Sequence, residues 1–152
     1  MKITDILRPE CVCVPLNSTD KFGAIEELVG ALDKAGELAK TSAVLEAVVA
    51  REKLRSTCTE YGLAVPHGKS AGVKRLVMSV GKPSTPIDFG GPSGHPPCGF
   101  IVLLASPVDE TGPHIQALAR ISRLWLNPEF RKFILGASDP DAVYNAFAER
   151  EV

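Results

Sequence analysis

Six consecutive apolar residues, Phe100-Ile101-Val102-Leu103-Leu104-Ala105, constrain the fold more than any other stretch of this chain. A strand with one wet face alternates apolar and polar residues; an unbroken run of strand length fits a strand covered on both faces. Such a strand needs helices above and below it, and the sequence supplies candidates. Phe22, Ile25, Leu28, Val29 and Leu32 recur at helical spacing, with Ser18 or Asp20 placed to cap that helix and Gly36 to end it. A second helix is predicted from about Thr41, with Val44, Leu45, Val48 and Val49 as its stripe, running toward Arg51-Glu52-Lys53-Leu54. A third starts near Pro113, with Ile115, Leu118, Ile121 and Trp125 on one side. Asn127-Pro128-Glu129 and Asp139-Pro140-Asp141 each pair a cap residue with proline at the first helical position, predicting two short C-terminal helices.

The remaining segments fill in the sheet. Ile3 to Leu7 reads as a turn of helix and Cys11 to Leu16 as an extended segment. Leu63 to Pro66 reads as a short strand ending in a turn, because a residue before proline prefers extended geometry. Arg75 to Gly81 is a further strand, and Gly90 to Pro97 is a loop. Strands interleaved with helices predict the α/β class, a three-layer sandwich with helices on both faces of one sheet. At 152 residues without a linker or repeat, residues 1–152 are expected to form one domain.

Charge and composition exclude several partners. Seventeen basic residues against eighteen acidic ones give a net charge of -1, so no basic field attracts nucleic acid or an anionic membrane. No apolar run approaches the ~20 residues that span a bilayer, and Met1-Lys2-Ile3-Thr4-Asp5 lacks the apolar core of a secretion signal. A cytoplasmic protein is expected. The four cysteines, Cys11, Cys13, Cys58 and Cys98, contain no Cys-x-x-Cys clip. Cys11 and Cys13 flank Val12, and alternate residues of a strand share a face; reduced thiols serving as small hydrophobes are expected.

Candidate chemistry lies with three histidines and one arginine. His67 follows a short apolar strand in Gly62-Leu63-Ala64-Val65-Pro66-His67-Gly68-Lys69. Pro66 fixes the backbone entering the turn, and Gly68 keeps a side chain away from whatever approaches the imidazole. A neutral imidazole held there is a fit nucleophile near pH 7, although Pro-His-Gly is also ordinary turn chemistry. His114 follows Pro113 in the first turn of a helix, where free N–H groups and the dipole favour anions and disfavour imidazolium; the plainer alternative is a solvent-facing histidine. Arg51 ends a helix, either complementing its dipole or clamping an anion with its planar fork. Ser56, Thr57 and Thr59 add hydroxyl donors nearby, and His95 sits in the loop as a bystander. No histidine pair has the i, i+4 spacing of a helical zinc motif, so no metal is expected.

Three blocks together resemble the enzyme IIA domain of the fructose–mannitol class of the bacterial phosphotransferase system, including its nitrogen-regulatory branch. They are Arg51-Glu52-Lys53-Leu54 with Ser56 and Thr57, then Gly62 to Gly68, then His114-Ile115-Gln116-Ala117-Leu118 after Pro107-Val108-Asp109-Glu110. The resemblance implies a single mixed sheet between helices and a phosphotransferase working through a phosphohistidine, without a cofactor. It implies that His67 accepts phosphate from phosphorylated HPr and donates it to a cysteine of an enzyme IIB, or signals its state to a regulatory protein. Arg51, Thr57 and His114 would then steady the phosphoryl group. Three places depart from the family: Glu60 stands where members commonly carry glycine, Tyr61 where they carry a small or polar residue, and Pro92 to Pro97 is unusual beside the family's corresponding turn. A carboxylate ~4 Å from a phosphoryl charge costs about 4 kcal/mol at an effective dielectric of ~20. Glu60 is therefore expected either to point away or to favour a partner that offsets it, and it is the one feature that speaks for a degenerate, non-phosphorylated module.

Overall fold

The computed structural model describes residues 1–150; residues 151 and 152 of the expected unit lie outside the described residues. A 3-10 turn at Ile3–Asp5 leads into β1 (Leu7–Leu16), α1 (Lys21–Lys34), α2 (Thr41–Leu54), β2 (Leu63–Ala64) and β3 (His67–Lys69). Then follow β4 (Val77–Pro83), β5 (Phe100–Ser106), α3 (Thr111–Leu126), α4 (Pro128–Gly136) and α5 (Pro140–Arg150). The strands form one mixed sheet in the order β1-β4-β5-β2, with β3 also paired to β5. β1 runs parallel to β4, and β2 and β3 run parallel to β5, while β4 and β5 are antiparallel. Among the described residues no helix is long and apolar enough to cross a membrane.

The apolar run does what its composition demands: every residue of β5 is buried. Side-chain alternation divides it between two layers. Phe100 stacks on Trp125 of α3 at 5.4 Å and lies 6.2 Å from Phe147 of α5. Ser79, opposite Leu103, instead donates its hydroxyl to Leu28 O of α1. Phe100, Val102, Leu104 and Ser106 therefore face the α3–α5 layer, while Ile101, Leu103 and Ala105 face α1 and α2. Each large side chain so buried contributes about 1.5–3 kcal/mol.

Capping chemistry sets the helix ends largely as expected. Asp20, rather than Ser18, accepts from Gly23 N at the start of α1, and Gly36 ends that helix in the left-handed region at φ 75°. Asn127 and Asp139 accept from Glu129 N and Ala142 N at the starts of α4 and α5. Four expectations need correction. Leu7 is not helical but opens β1, where it pairs with Met78. The strand at 75–81 is displaced to 77–83 by its antiparallel pairing with β5. α3 begins at Thr111, and its inward face is His114, Ala117, Ile121 and Trp125, leaving Ile115 60% exposed. β2 stops at Ala64, and the chain resumes as a strand at His67, where a turn was expected. Cys11 and Cys13 do sit against α1: the Cys11 thiol donates to Ala31 O, and burial pushes both thiols up to about 11.

Candidate functional site

The site is built on β3. Leu104 N donates to Pro66 O and Ser70 N to Ser106 O, which pins the segment along β5 at both ends. His67 lies opposite Leu104 and Lys69 opposite Ser106, so both point to the α3 side. Gly68, opposite Ala105, points to the α2 side. A Cβ on Gly68 would stand 3.0 Å from Val48 N and 3.1 Å from Ala47 C. Its missing side chain thus makes room for the backbone of α2 rather than for a group approaching the imidazole. Arg51 lies one helical turn beyond Ala47, so the close approach of α2 carries it to the site. Arg51, His67, Lys69 and His114 line an open cavity of about 390 Å³, with Ala47 and Leu118 as apolar walls.

His67 is half-buried, and its Nδ1 lies 2.8 Å from Val65 O. A carbonyl oxygen only accepts, so the imidazole proton is on Nδ1 and the Nε2 lone pair is free for attack. Burial pulls the His67 pKa below its ordinary value, with the positive charges of Arg51 and Lys69 adding to the effect. The bond to Val65 and the carboxylate of Glu52 oppose it. The net result is a neutral ring, the form a nucleophile needs.

His114 stands beside it, ring centroids 5.3 Å apart and planes at 63°. It is buried, contrary to the solvent-facing alternative, and Ser106 Oγ lies 2.6 Å from its Nδ1. Among the described contacts the Ser106 hydroxyl has no other acceptor, so it donates to Nδ1 and the ring proton sits on Nε2 as a donor. The His114 pKa is pushed down to about 4, first by burial and then by His67 and Lys69. Helix position contributes differently from the expectation. Pro113 is the third residue of α3, and His114 N is already bonded to Glu110 O, so the imidazole is what His114 presents.

The other predicted residues divide. Arg51 reaches the cavity with one guanidinium nitrogen committed to Arg55 O at 2.8 Å, leaving further N–H donors. Thr57 does not line it. Its hydroxyl donates to Glu52 Oε1 at 2.7 Å and its N–H to Oε2 at 2.9 Å. Ser56 donates to Phe89 O, and Thr59 Oγ accepts from Leu63 N. Three residues escaped the sequence reading. Lys69 donates to Thr111 Oγ1 at 3.1 Å across the cavity mouth; Ser106 supports His114; and Glu52 is a buried carboxylate held by Thr57 with Lys21 3.9 Å away. Their only sequence signals were parity with His67, a hydroxyl closing the apolar run, and a place next to Arg51.

Glu60 is exposed and lines a different cavity, with Tyr61, Ser122 and Leu126. Its neighbour Tyr61 accepts from Trp125 Nε1 through its carbonyl and lies under the Arg131 guanidinium at 4.4 Å. Trp125 is eleven residues from His114 along α3, about 16 Å at 1.5 Å per residue. The ~4 Å repulsion considered from sequence does not arise, and the charges acting on His67 are those of Arg51, Glu52 and Lys69.

Residues 5–150 match the family described as "Phosphoenolpyruvate-dependent sugar phosphotransferase system, EIIA 2". The chain belongs to this family. As an EIIA 2 chain it is 35% identical over 150 residues to a nitrogen regulatory protein of Bradyrhizobium diazoefficiens, covering 97% of this chain and 95% of that protein. It is 32% identical over 151 residues to the fructose-specific EIIABC component of Bacillus subtilis, covering 99% of this chain but only 24% of that protein. Among solved structures it is similar to the nitrogen regulatory protein IIA-Ntr of Neisseria meningitidis, at a TM-score of 0.86 and 28% identity over 95% of this chain and 98% of that one. The family is one of phosphotransfer proteins with both sugar-specific and nitrogen-regulatory members, and the mixed α/β sheet expected from the resemblance is the one found.

Proposed function

We propose that this chain is a cytoplasmic phosphocarrier in which residues 1–152 act as one IIA unit. Nε2 of His67 takes a phosphoryl group from a phosphorylated HPr-type protein and passes it to a cysteine of an enzyme IIB. The observation that carries the reading is the bond from His67 Nδ1–H to Val65 O, which leaves Nε2 free inside a cavity lined by Arg51, Lys69 and His114. In the first transfer the donor's nitrogen–phosphorus bond breaks as the bond to His67 Nε2 forms. Positive character then grows on the ring, where Val65 O and Glu52 offset it. Arg51, Lys69 and the His114 Nε2–H offset the oxygens of the transferring group, positioned before the reaction begins. Thr57 acts through Glu52. The open cavity suits two protein partners that dock in turn.

Incubation with enzyme I, HPr and phosphoenolpyruvate is expected to add one acid-labile phosphoryl group, read by intact mass, and His67→Ala to abolish it. A wild-type protein that gains no mass from an active cognate donor ends the proposal. His114→Ala is expected to accept the group yet pass it on slowly; normal onward transfer removes His114 from the mechanism. A second reading is a regulator whose phosphorylation state sets binding to a target protein, favoured by the 35% identity to the Bradyrhizobium nitrogen regulatory protein. Capture of a partner by only one of the two forms, phosphorylated or not, distinguishes it from a sugar carrier.

A further inference from the structure

We propose that Cys58 and Cys98 are a redox-active pair that closes to a disulfide when a peroxide-class oxidant enters through the loop around His95. The inference is independent of the phosphoryl chemistry. The two sulfurs stand 3.7 Å apart, with the Cys98 thiol directed at Cys58 Sγ. Cys98 is fully buried, whereas Cys58 is half-buried beneath the exposed residues Pro92 to Gly94 and Pro96 to Pro97. Cys58 Sγ also meets His95 Nδ1 at 3.8 Å, Thr59 O at 3.4 Å and Pro96 O at 3.9 Å. A Cβ on Gly91 would come within 2.7 Å of the same sulfur, so that glycine keeps the thiol's place open.

This arrangement assigns the two thiols different parts. Cys58 is the sulfur an oxidant meets first, with an imidazole nitrogen beside it to receive the thiol proton. Its sulfur attacks one peroxide oxygen, the O–O bond breaks, one water leaves, and Cys58 becomes a sulfenic acid. Cys98 then attacks the Cys58 sulfur, the S–S bond forms, and the second water leaves. Two thiols are oxidised and one peroxide is reduced to two waters. Burial, and after it the neighbouring Cys58, hold the Cys98 thiol well above the ordinary range, which makes Cys98 the second sulfur to react. Closure brings the sulfurs from 3.7 Å to about 2.05 Å; Cys58 is bridged to Ala64 and Cys98 to Ile87 through the backbone, so the approach falls to rotation of the two side chains. Its neighbour Thr57 holds Glu52, so the crosslink forms one residue from a support of the His67 site.

The reduced full chain, treated with hydrogen peroxide, is expected to lose two hydrogens by intact mass and then, without reductant, to take up two alkyl groups instead of four. Peptide mapping should locate the link at Cys58–Cys98, with Cys11 and Cys13 alkylated, and dithiothreitol should restore both thiols. Cys58→Ser, a near-isosteric change at a half-buried position, should abolish the link. Cys98→Ala serves as a second variant, its folding checked by thermal melting. If Cys58 and Cys98 are both alkylated after peroxide, or Cys58 proceeds to sulfinic acid without a link, the proposal is overturned.

Discussion

Ser106 occupies two roles at once: its carbonyl accepts from Ser70 in the sheet, and its hydroxyl holds His114 Nδ1. Removing the hydroxyl leaves a buried ring nitrogen without its donor, which costs about 1–3 kcal/mol. Ser106→Ala is therefore expected to lower the unfolding free energy by that amount in a urea titration. It should also shift the His114 proton between its two nitrogens, read from the ¹⁵N chemical shifts of the imidazole. Unchanged shifts would mean that Ser106 does not select the tautomer. A proline or a helix end beside His67, His114 and Arg51 leaves each with an ordinary turn, surface or dipole role; the family resemblance is what joins the three as candidates, and the fold brings them to one cavity. Ser106 and Lys69 were not legible in the sequence, since cross-strand register brings them in, and register is a long-range property. Proximity in sequence does not tell which way a hydroxyl turns: the resemblance implies a phosphate-binding Thr57, whereas its hydroxyl donates to the buried Glu52 carboxylate.

Between elements, the contact that matters most is that of β3 with α2. Gly68→Ala inserts a methyl group against the backbone of α2, 3.0 Å from Val48 N, where no flexible side chain can yield. Such overpacking costs roughly 1–3 kcal/mol, and the helix that must shift is the one carrying Arg51. The variant is expected to melt lower and to accept phosphoryl groups more slowly, and a wild-type melting temperature would show that α2 is not wedged by this residue. β3 escaped detection in the sequence because three residues after a proline carry no periodicity. The long helices and β5 were legible, being long enough for their spacing or continuity to stand out.

The whole molecule inherits a pH dependence from its two buried-site histidines. Both folded-state pKa values lie below the ordinary 6.5, that of His114 at about 4. Above 6.5 neither state holds the proton, and there is no effect. As pH falls from 6.5 toward 4 the unfolded chain takes up protons that the folded chain refuses, so stability falls. For His114 the limit is about 3 kcal/mol, at about 1.4 kcal/mol per tenfold change in proton affinity. Urea midpoints should decline through this window, and His114→Gln should flatten the decline; an equal decline in the variant would assign it to other groups. The sandwich class was legible at this scale from one apolar run and five helix signals, whereas strand order was not, because pairing partners are far apart in sequence.

Parity along β3 has a consequence for how this segment tolerates change in length. His67 and Lys69 share a side with Leu104 and Ser106, and Gly68 takes the other. One residue added or lost just before His67 would aim the imidazole into the backbone of α2 and bring a neighbour to the cavity, because a strand reads only in twos. The glycine- and proline-rich loop at 90–97 has no such frame to keep. Descendants of this chain can lengthen that loop away from Gly91, His95 and Pro96, which meet Cys58, while at Pro66–His67 a single codon turns the imidazole away from the cavity.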